Sequence, residues 1–478
     1  DINSLDIALD FMNRRPDHEG RRHTLILSDI YQSGIAAKEL YREVSELCKK
    51  RGVVKFVGIG PELSANADVI AVGEKNFFPT VDEFVASGVF KSLHDEVILV
   101  KGARQFGFDQ ITELLVQKVH ETTLEVNLNA VVNNLNWYRS FMKPQTKLVC
   151  MIKADAYGAG SVEIAKTLQD HRVDYLAVAV ADEGVTLRKN GITSNIMIMN
   201  PEMTAFKTMF DYDLEPEVYS FRLLDALVKA AEKEGITGFP VHIKLDTGMH
   251  RLGFAPSEVK ALWLTLQACK HIESITLMTH FARADELNSD YTLQQLQQFK
   301  VAAAGLEVAH CLANSPAILA WPATHTEYVR PGLMLYGASP FTEPHELAAQ
   351  LKPAMHLESA LIAIRELAAG EPIGYGARFR CEQATTVGVV AMGYADGYPR
   401  HAIDGTPIAI NGIRTRLIGR VSMDMLTIDI TNLNCKIGDR VQCWGDQVLA
   451  TEVAAASYTI PYTLFTGVTR RVPLTYIG

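Results

Sequence analysis

The chain has 478 residues, of which 48% are hydrophobic and 21% are charged, a composition typical of a globular protein with a substantial core. Its net charge of −9 disfavours nucleic acid and anionic membranes as main partners, and no apolar run approaches about 18 residues, so we predict no membrane span. Seven scattered cysteines without a C-x-x-C pair, and fourteen histidines without an H-E-x-x-H pattern, favour a reducing cytoplasm and no metal site.

The first predicted domain, residues 1–119, alternates short apolar runs with amphipathic stretches. Helical spacing occurs at residues 35–52 and 109–120. Apolar runs that predict strands lie at residues 23–30, 54–60, 68–73 and 96–101. This alternation indicates a small, Rossmann-like parallel α/β sheet. The chain starts with Asp1 and shows no signal-peptide pattern, so we expect it to begin inside a longer protein.

The second predicted domain, residues 120–355, repeats the alternation more regularly. Eight apolar runs predict strands, at residues 122–128, 147–153, 175–180, 195–199, 214–220, 240–246, 275–281 and 306–312. Helical patterns such as that of residues 220–235 lie between most of them. Eight such units in about 230 residues predict a (β/α)₈ barrel, in which active sites lie at the carboxyl ends of the strands.

The third predicted domain, residues 356–478, is mostly β. Its β-like runs are separated by turns and accompanied by few helix signals, and they lie at residues 357–367, 385–394, 407–419, 425–430 and 440–445. The change of pattern indicates a domain separate from the barrel.

Polar residues end several of the predicted barrel strands. They are Lys153, Asp246 with Arg251, His280, Asn314 with Ser315, and Arg330. Alone, His280 would more often be structural and Arg330 a surface ion-pair partner, but a ring of such residues around one mouth favours a site. A lysine in a pocket that lowers its pKa can form a Schiff base, while arginines, hydroxyls and loop amides suit a phosphate. Together they describe a site for pyridoxal 5′-phosphate (PLP).

A series of motifs then resembles the PLP-dependent alanine racemases, in the order found in that family. The motifs are KADAYGAG (153–160), KLDTGMHRLGF (244–254), THFARAD (279–285), NSPA (314–317), VRPGLMLYG (329–337), GYADGYPR (393–400) and GRVSMD (419–424). For residues 122–478 the resemblance implies the barrel and the β domain, and an isomerase that interconverts L- and D-alanine with PLP. It also implies a homodimer with shared active sites that supplies D-alanine for peptidoglycan precursors.

The resemblance also implies roles for individual residues. Lys153 would be the Schiff-base lysine and one catalytic base, and Tyr394 of the partner subunit would be the other. Arg251 would contact the cofactor ring and, with the partner's Met423, the substrate. Further cofactor-binding residues would be Tyr157, Ser315, Gly332 and Leu333 at the phosphate, Asn314 beside Ser315, Arg330 at the pyridine nitrogen, and His280 between Arg330 and Tyr394.

Two further positions bear on the site. Lys244 aligns with a lysine that is carbamylated in some members of the family, where it orients the arginine numbered 251 here. Arg470 stands where some members have a phosphate-binding tyrosine, a role in which an arginine could serve as well.

The first domain has a resemblance of its own. DINSLDIALDF (1–11) and VILVKGARQFGFDQITELL (97–115) resemble the C-terminal domain of the Mur ligases, most like the one that adds D-alanyl-D-alanine to the muramoyl tripeptide. The nucleotide-binding G-x-x-x-x-G-K-[ST] motif is absent from the chain. We therefore expect a ligase–racemase fusion of which this chain holds only the last ligase domain, without ligase activity.

Three alternatives stay open at this point. A PLP decarboxylase of the same architecture would place an acidic residue at the pyridine nitrogen, where Arg330 aligns. A non-catalytic PLP-binding protein would need the barrel alone, whereas this chain adds a β domain with Tyr394. Residues 1–119 could act in binding or scaffolding only. Strict preference for alanine is also open, because one small side chain is discriminated by only about 1–3 kcal/mol.

Overall fold

A computed structural model describes residues 2–13, 21–31, 34–94, 96–115 and 121–478 of the chain. The chain divides into two compact units, Asp1–Val119 and His120–Gly478. The predicted fold class is confirmed: a four-stranded parallel α/β sheet, an eight-stranded parallel barrel and a mostly β sheet follow one another.

The first unit is a parallel sheet with the strand order β3-β2-β1-β4. Its strands are Arg22–Ser28 (β1), Val53–Ile59 (β2), Glu74–Phe78 (β3) and Glu96–Lys101 (β4). Its helices are Ile2–Asn13 (α1), Ala37–Lys50 (α2), Pro61–Ala65 (α3), Val81–Ser87 (α4) and Asp109–Leu115 (α5). The helix predicted at residues 109–120 thus forms as far as Leu115, and residues 116–120 lie outside the described residues.

The strand predicted at residues 68–73 is wrong. Ala67–Val69 forms a 3-10 turn, and the strand follows it as β3. Ile70 is nevertheless fully buried, and the N–H of Ala71 donates to the hydroxyl of Ser45 on α2 at 2.7 Å. The apolar run therefore indicated the burial of Ile70 and Val72 correctly, but burial alone does not make a segment pair with a neighbouring strand.

The second unit begins with the strand Thr123–Asn127 (β5), which is followed by a closed parallel barrel. The barrel strands are Lys147–Met151 (β6), Tyr175–Val178 (β7), Asn195–Ile198 (β8), Leu214–Val218 (β9), Phe239–Lys244 (β10), Ile272–Met278 (β11), Ala309–Asn314 (β12) and Tyr328–Arg330 (β13). Most of their residues are buried, as expected for parallel strands covered on both faces.

Helices on the outside of the barrel bury one apolar stripe each. On the helix Phe221–Lys233 this stripe contains Leu223, Leu224, Leu227 and Ala231, and the Ser220 hydroxyl accepts the N–H of Leu223 as the N-cap. The helical segments of the barrel region are Leu128–Arg139 (α6), Lys153–Tyr157 (α7), Ser161–Asp170 (α8), Ala181–Lys189 (α9), Phe206–Asp211 (α10), Phe221–Lys233 (α11), Val259–Ala268 (α12), Tyr291–Ala302 (α13) and Ser315–Ala320 (α14).

The set of strands that forms the barrel differs from the predicted set. The run at residues 122–128 does form a strand, β5, but β5 pairs with strands of the β domain. The eighth barrel strand is instead β13, which pairs with β12 and β6 and so closes the barrel. A three-residue strand is too short to produce a recognisable apolar run, so only the closed barrel identifies it.

The β domain is one large sheet with a small hairpin beside it. Its strands are Met355–Leu367 (β14), Pro372–Ile373 (β15), Phe379–Arg380 (β16), Thr385–Val390 (β17), Pro407–Ile410 (β18), Ile413–Arg416 (β19), Leu426–Asp429 (β20), Arg440–Trp444 (β21) and Leu474–Ile477 (β22). The long strand β14 pairs antiparallel with β5, β17 and β21 and so ties the sheet together.

Two helices of this region, Ala450–Ala456 (α15) and Pro461–Gly467 (α16), were not predicted. Each is only seven residues long, which leaves too few positions for a helical period to be recognised. Proline at the first position of α16 is a favourable start for a helix. Among the helices that the structure describes, none is long and apolar enough to cross a membrane.

Candidate active site

A cavity of about 720 Å³ opens where the barrel strands end and collects most of the predicted site residues. Its lining includes Lys153, Tyr157, Lys244, Arg251, His280, Asn314, Ser315, Arg330, Gly332 and Leu333. These residues follow or end β6, β10, β11, β12 and β13. Because the strands are parallel, their carboxyl ends meet at one rim, and residues far apart in sequence share a single space.

Lys153 enters this space on a left-handed turn. Ala154–Tyr157 have φ values between +52° and +57°, a conformation that costs roughly 1–2 kcal/mol per residue for side chains other than glycine. The N–H of Ala154 donates to the carboxylate of Glu183 at 2.7 Å and helps to hold the turn. At Gly158, a Cβ atom would lie 2.5 Å from the carbonyl oxygen of Phe465, which explains a glycine there.

The surroundings of Lys153 favour its neutral amine. Burial is the main cause that lowers the pKa of Lys153, and the positive charges of Arg251 and Lys244 lower it further. The carboxylates of Glu217 and Glu183 act in the opposite direction without reversing the shift. An unprotonated amine is the form needed both to attack a carbonyl and to accept a proton.

Arg251 is carried by a closed loop between Lys244 and Phe254. The N–H of Phe254 donates to the carbonyl oxygen of Lys244, and the N–H of Asp246 donates to that of Phe254, both at 2.9 Å. Burial would raise the pKa of Asp246, but N–H donors within the loop hold it below its ordinary value. At Gly253 (φ +135°) a Cβ atom would lie 2.5 Å from the backbone nitrogen of Asp246, so only glycine fits.

Arg330 is buried and is held by carbonyl oxygens and one histidine. Its guanidinium donates to the carbonyl oxygens of Cys311 (2.6 Å) and Thr279, and to Nδ1 of His280 at 3.3 Å. Burial lowers the pKa of His280 well below its ordinary value, and the charge of Arg330 lowers it further. His280 is therefore neutral, with Nδ1 as acceptor and the proton on Nε2.

A small polar recess lies beside Lys153. The hydroxyl of Ser315 accepts the N–H of Gly332 at 2.8 Å, and a Cβ atom at Gly332 would approach the Tyr157 hydroxyl to 2.9 Å. The ring of Tyr157 packs against Tyr336 at 4.8 Å and against Tyr462 at 5.8 Å between centroids. Hydroxyls, loop amides and a glycine that leaves the wall open suit an anion such as a phosphate.

The sequence indicates no role for Tyr462, whereas Arg470 stands where some members of the family have a phosphate-binding tyrosine. Tyr462 lines the cavity, whereas Arg470 is exposed and does not. Tyr462 is the second residue of α16, and this short helix carries it to the ring of Tyr157. The tyrosine in PYTLF was visible in the sequence, but without α16 nothing indicated that it faces the barrel mouth.

Lys244 has a partner that the sequence analysis did not identify. Its Nζ donates to Oε1 of Glu217 at 2.9 Å, with side chains that are 6% and 1% exposed. Burial lowers the pKa of Lys244 below its ordinary value, and the charges of Arg330 and Arg251 act in the same direction. Glu217 opposes this shift without reversing it. Glu217 lies within the predicted strand 214–220, and the two glutamates of this run, Glu215 and Glu217, were the signal available, because a charge in a buried strand needs a partner.

Tyr394 and Met423 do not line this cavity. They lie next to each other in the β domain, where the N–H of Tyr394 donates to the carbonyl oxygen of Ser422 and that of Ala395 to Met423. Tyr394 is 37% exposed and Met423 is 54% exposed. A Cβ atom at Gly393 would lie 2.1 Å from the carbonyl oxygen of Met423, so glycine permits the two loops to touch.

A buried carboxylate fixes these two loops together. Asp396 accepts the N–H of Gly393 at 2.8 Å and the Nε–H of Arg471 at 2.7 Å. Arg471 also donates to Asp424, beside Met423, at 2.7 Å. No local sequence pattern indicates this bridge, because Arg471 is 75 residues away from Asp396 in the chain.

The residues present fit PLP. Lys153 is an amine with a lowered pKa, and the recess of Tyr157, Ser315 and Gly332 can receive a phosphate. Arg330 supplies N–H donors on a guanidinium that has no carboxylate within ion-pair distance among the described residues. The aldehyde, the phosphate and the pyridine nitrogen of the cofactor thus each have a complementary group in one cavity.

Comparison with known proteins identifies the second unit. The models of the alanine racemase N-terminal domain and C-terminal domain match residues 126–340 and 354–476. The alanine racemase of Pseudomonas fluorescens is 46% identical over 333 residues, which cover 69% of this chain and 92% of that protein. The catabolic alanine racemase of Pseudomonas putida is 46% identical over 356 residues, 74% of this chain and 98% of that protein. The crystal structure of the biosynthetic alanine racemase from Pseudomonas aeruginosa matches with a TM-score of 0.71 and 37% identity, covering 75% of this chain and 100% of that one.

Proposed function

The chain belongs to the alanine racemase family and is a PLP-dependent isomerase, and from this premise we propose that it moves the α-proton of alanine with two bases, Lys153 and Tyr394 of a partner subunit. The supporting observation is that Lys153 lines the cavity whereas Tyr394 lies exposed on the β domain. A second copy that places its β domain over the cavity would bring an amine and a phenol to one substrate.

Racemisation requires that the α-proton leaves on one face and that a proton arrives on the other. PLP, when bound, supplies an electron-withdrawing ring that makes the α-proton of the amino acid acidic. Lys153 takes the α-proton of D-alanine, and the partner's Tyr394 takes that of L-alanine. Arg251, on the loop after β10, pairs with the substrate carboxylate and fixes which faces the two bases meet.

We assign Arg330 to the pyridine nitrogen of the cofactor. An arginine is always protonated in proteins and can only donate, so the nitrogen facing it is kept as an acceptor without a proton. A cofactor ring with an unprotonated nitrogen would withdraw electrons less strongly, which favours return of a proton to the α-carbon over other reactions. A decarboxylase, for which an acidic residue is expected at this position, is therefore the less favoured function.

We assign the recess beside Lys153 to the phosphate of the cofactor. Tyr157 and Tyr462, whose rings pack together, both line the cavity and offer hydroxyls, and Ser315 with the backbone at Gly332 and Leu333 completes the recess. Tyr462 thus takes the place that the sequence analysis gave to Arg470.

Shared sites are tested by mixing two inactive variants. With a head-to-tail homodimer, Lys153→Ala and Tyr394→Phe proteins form mixed dimers with one intact site. Equal mixing is expected to restore about a quarter of the wild-type activity, because half the dimers are mixed and each carries one working site. The measurement is racemase activity after subunit exchange.

The matched control combines Lys153→Ala with Arg251→Met. Both residues lie on the barrel, so every site of their mixed dimer lacks one of them and no activity is expected to return. Equal recovery in the two mixtures, or none in either despite proven exchange, would contradict a site shared between subunits.

For the first unit we propose the C-terminal domain of a Mur ligase, which supports a role of the racemase in supplying D-alanine for peptidoglycan in the cytoplasm. A parallel sheet with flanking helices is compatible with such a domain. No G-x-x-x-x-G-K-[ST] loop occurs in the sequence, so the purified chain is expected not to join D-alanyl-D-alanine to the muramoyl tripeptide with ATP. Product formation above that of a heat-treated sample would refute the expected lack of ligase activity.

A further inference from the structure

A buried ion pair borders the cavity. It joins Lys244, at the end of β10, to Glu217 on the neighbouring strand β9, with 2.9 Å between Nζ and Oε1. Oε2 of Glu217 is also buried and has no hydrogen-bond partner among the described residues. A buried carboxylate with one unpaired oxygen is unfavourable unless nearby positive charge compensates it.

That positive charge is present. Lys153, Lys244, Arg251 and Arg330 all line the cavity. The positive charges of Arg251 and Arg330 lower the pKa of Lys244. The carboxylate of Glu217 raises the pKa of both Lys244 and Lys153. Within the described part of the chain, no other ion pair shorter than 4 Å joins one of these four cations to a carboxylate.

We propose that Glu217 is a positioning residue for the racemase reaction, whose carboxylate holds Lys244 as an unmodified ammonium and places a fixed negative charge in direct contact with one of the four cations of the cavity. Lys244 lies at the start of the loop that carries Arg251, and the backbone oxygen of Lys244 closes that loop through Phe254. A fixed Lys244 side chain therefore fixes the residue at which the Arg251 loop begins and closes.

Carbamylation of Lys244 is incompatible with this pair. The Lys244 ammonium would first lose one proton, and the neutral amine would then attack the carbon of carbon dioxide, so that an N–C bond forms as a C=O π bond breaks. A second proton would leave the nitrogen, and the loss of two protons in all would turn a cation into an anion. The new anion would stand against the buried carboxylate of Glu217, and Glu217 would lose its counter-charge in the same step. Two adjacent buried anions disfavour each other strongly. Glu217 thus occupies the place that a carbamate would otherwise fill.

The modification is tested directly on the holoenzyme with ¹³C-labelled bicarbonate. The ¹³C NMR spectrum of the wild-type protein is expected to show no protein-bound carbamate, and its activity is expected to be the same in bicarbonate-free and bicarbonate-saturated buffer. A carbamate resonance that is lost in a Lys244→Met protein would overturn the proposal.

The positioning role is tested by Glu217→Gln, which keeps the size of the side chain and removes its charge. We expect kcat/KM to fall by up to roughly 100-fold, the effect of a displaced positioning group. Glu217→Asp, which restores the charge, is expected to recover a substantial part. Bound PLP and the melting temperature are measured on each protein to separate positioning from loss of the fold.

Glu215→Gln is the matched control. Glu215 lies on the same strand, is also buried and also pairs, with His242 at 2.8 Å, but it lines a different cavity, of about 640 Å³. We expect its kcat/KM to stay near the wild-type value. Equal losses in the Glu215 and Glu217 variants, or no recovery in Glu217→Asp, would overturn the proposal.

The charge state of Lys244 does not depend on which side chain takes the α-proton. A carbamate signal would therefore remove the role of Glu217 and leave the assignment of Lys153 and Tyr394 untouched. Conversely, failed recovery in the mixed dimers would leave the Glu217 result interpretable.

Discussion

Replacing Lys153 by alanine is expected to abolish racemase activity in both directions. Lys153 is an amine with a lowered pKa in the cavity and has no carboxylate in an ion pair with it among the described residues, and it is assigned both the covalent attachment of PLP and one proton transfer. Loss of a general base alone slows a reaction by roughly 10²–10⁴-fold, and loss of the attachment point adds to this. The measurement is turnover of each enantiomer by the purified variant with PLP in excess.

Lys147→Ala is the control for this variant. Lys147 begins the same strand, and its Nζ lies 3.2 Å from the Tyr328 hydroxyl, outside the cavity lining. The Lys147→Ala protein is expected to keep its racemase activity. In the wild-type protein, borohydride reduction followed by peptide mapping should place the cofactor on Lys153. A label on Lys244, the second amine of the cavity, would contradict the assignment.

Replacing Tyr394 by phenylalanine is expected to act on one face of the substrate only. Lys153 and the recess for the phosphate remain in the variant, so binding of PLP is expected to be unchanged. Removal of the α-proton from L-alanine should slow by roughly 10²–10⁴-fold, the usual contribution of a general base, and removal from D-alanine should slow far less.

The asymmetry must be measured by single-turnover exchange of the α-proton in deuterated solvent. Overall racemisation has to fall equally in both directions, because a catalyst cannot shift an equilibrium. Tyr458→Phe offers a control, since Tyr458 is an exposed tyrosine of the same domain that does not line the cavity. Equal exchange losses for the two enantiomers in Tyr394→Phe would mean that one base serves both faces.

The local sequence was sufficient for much of the barrel and for its mouth. Lys153 and His280 stand at the ends of apolar runs whose length and composition are typical of buried parallel strands. Once strands are parallel, their carboxyl ends meet at one rim whatever the details of packing, so polar residues at those ends must approach one another. To predict that these residues share a space at the barrel mouth, it was therefore enough to know where each strand ends.

Pairings between distant segments could not be read in this way. Whether β5 or β13 completes the barrel depends on which strand edge each meets, and the apolar content of β5 suits either sheet. The placement of Tyr462 rather than Arg470 at the cavity depends on α16, a helix too short to produce a periodic signal.

The sequence by itself determined the fold class of each segment and most of the residues that end the barrel strands, because these follow from burial and periodicity within short windows. The family of the second unit was indicated by the resemblance of its ordered motifs. Only the tertiary structure decided that Glu217 pairs with Lys244 and that Arg471 joins the loops of Tyr394 and Met423. Such contacts join residues from separate segments, and their distances are set by how strands and loops pack in three dimensions rather than by any local pattern.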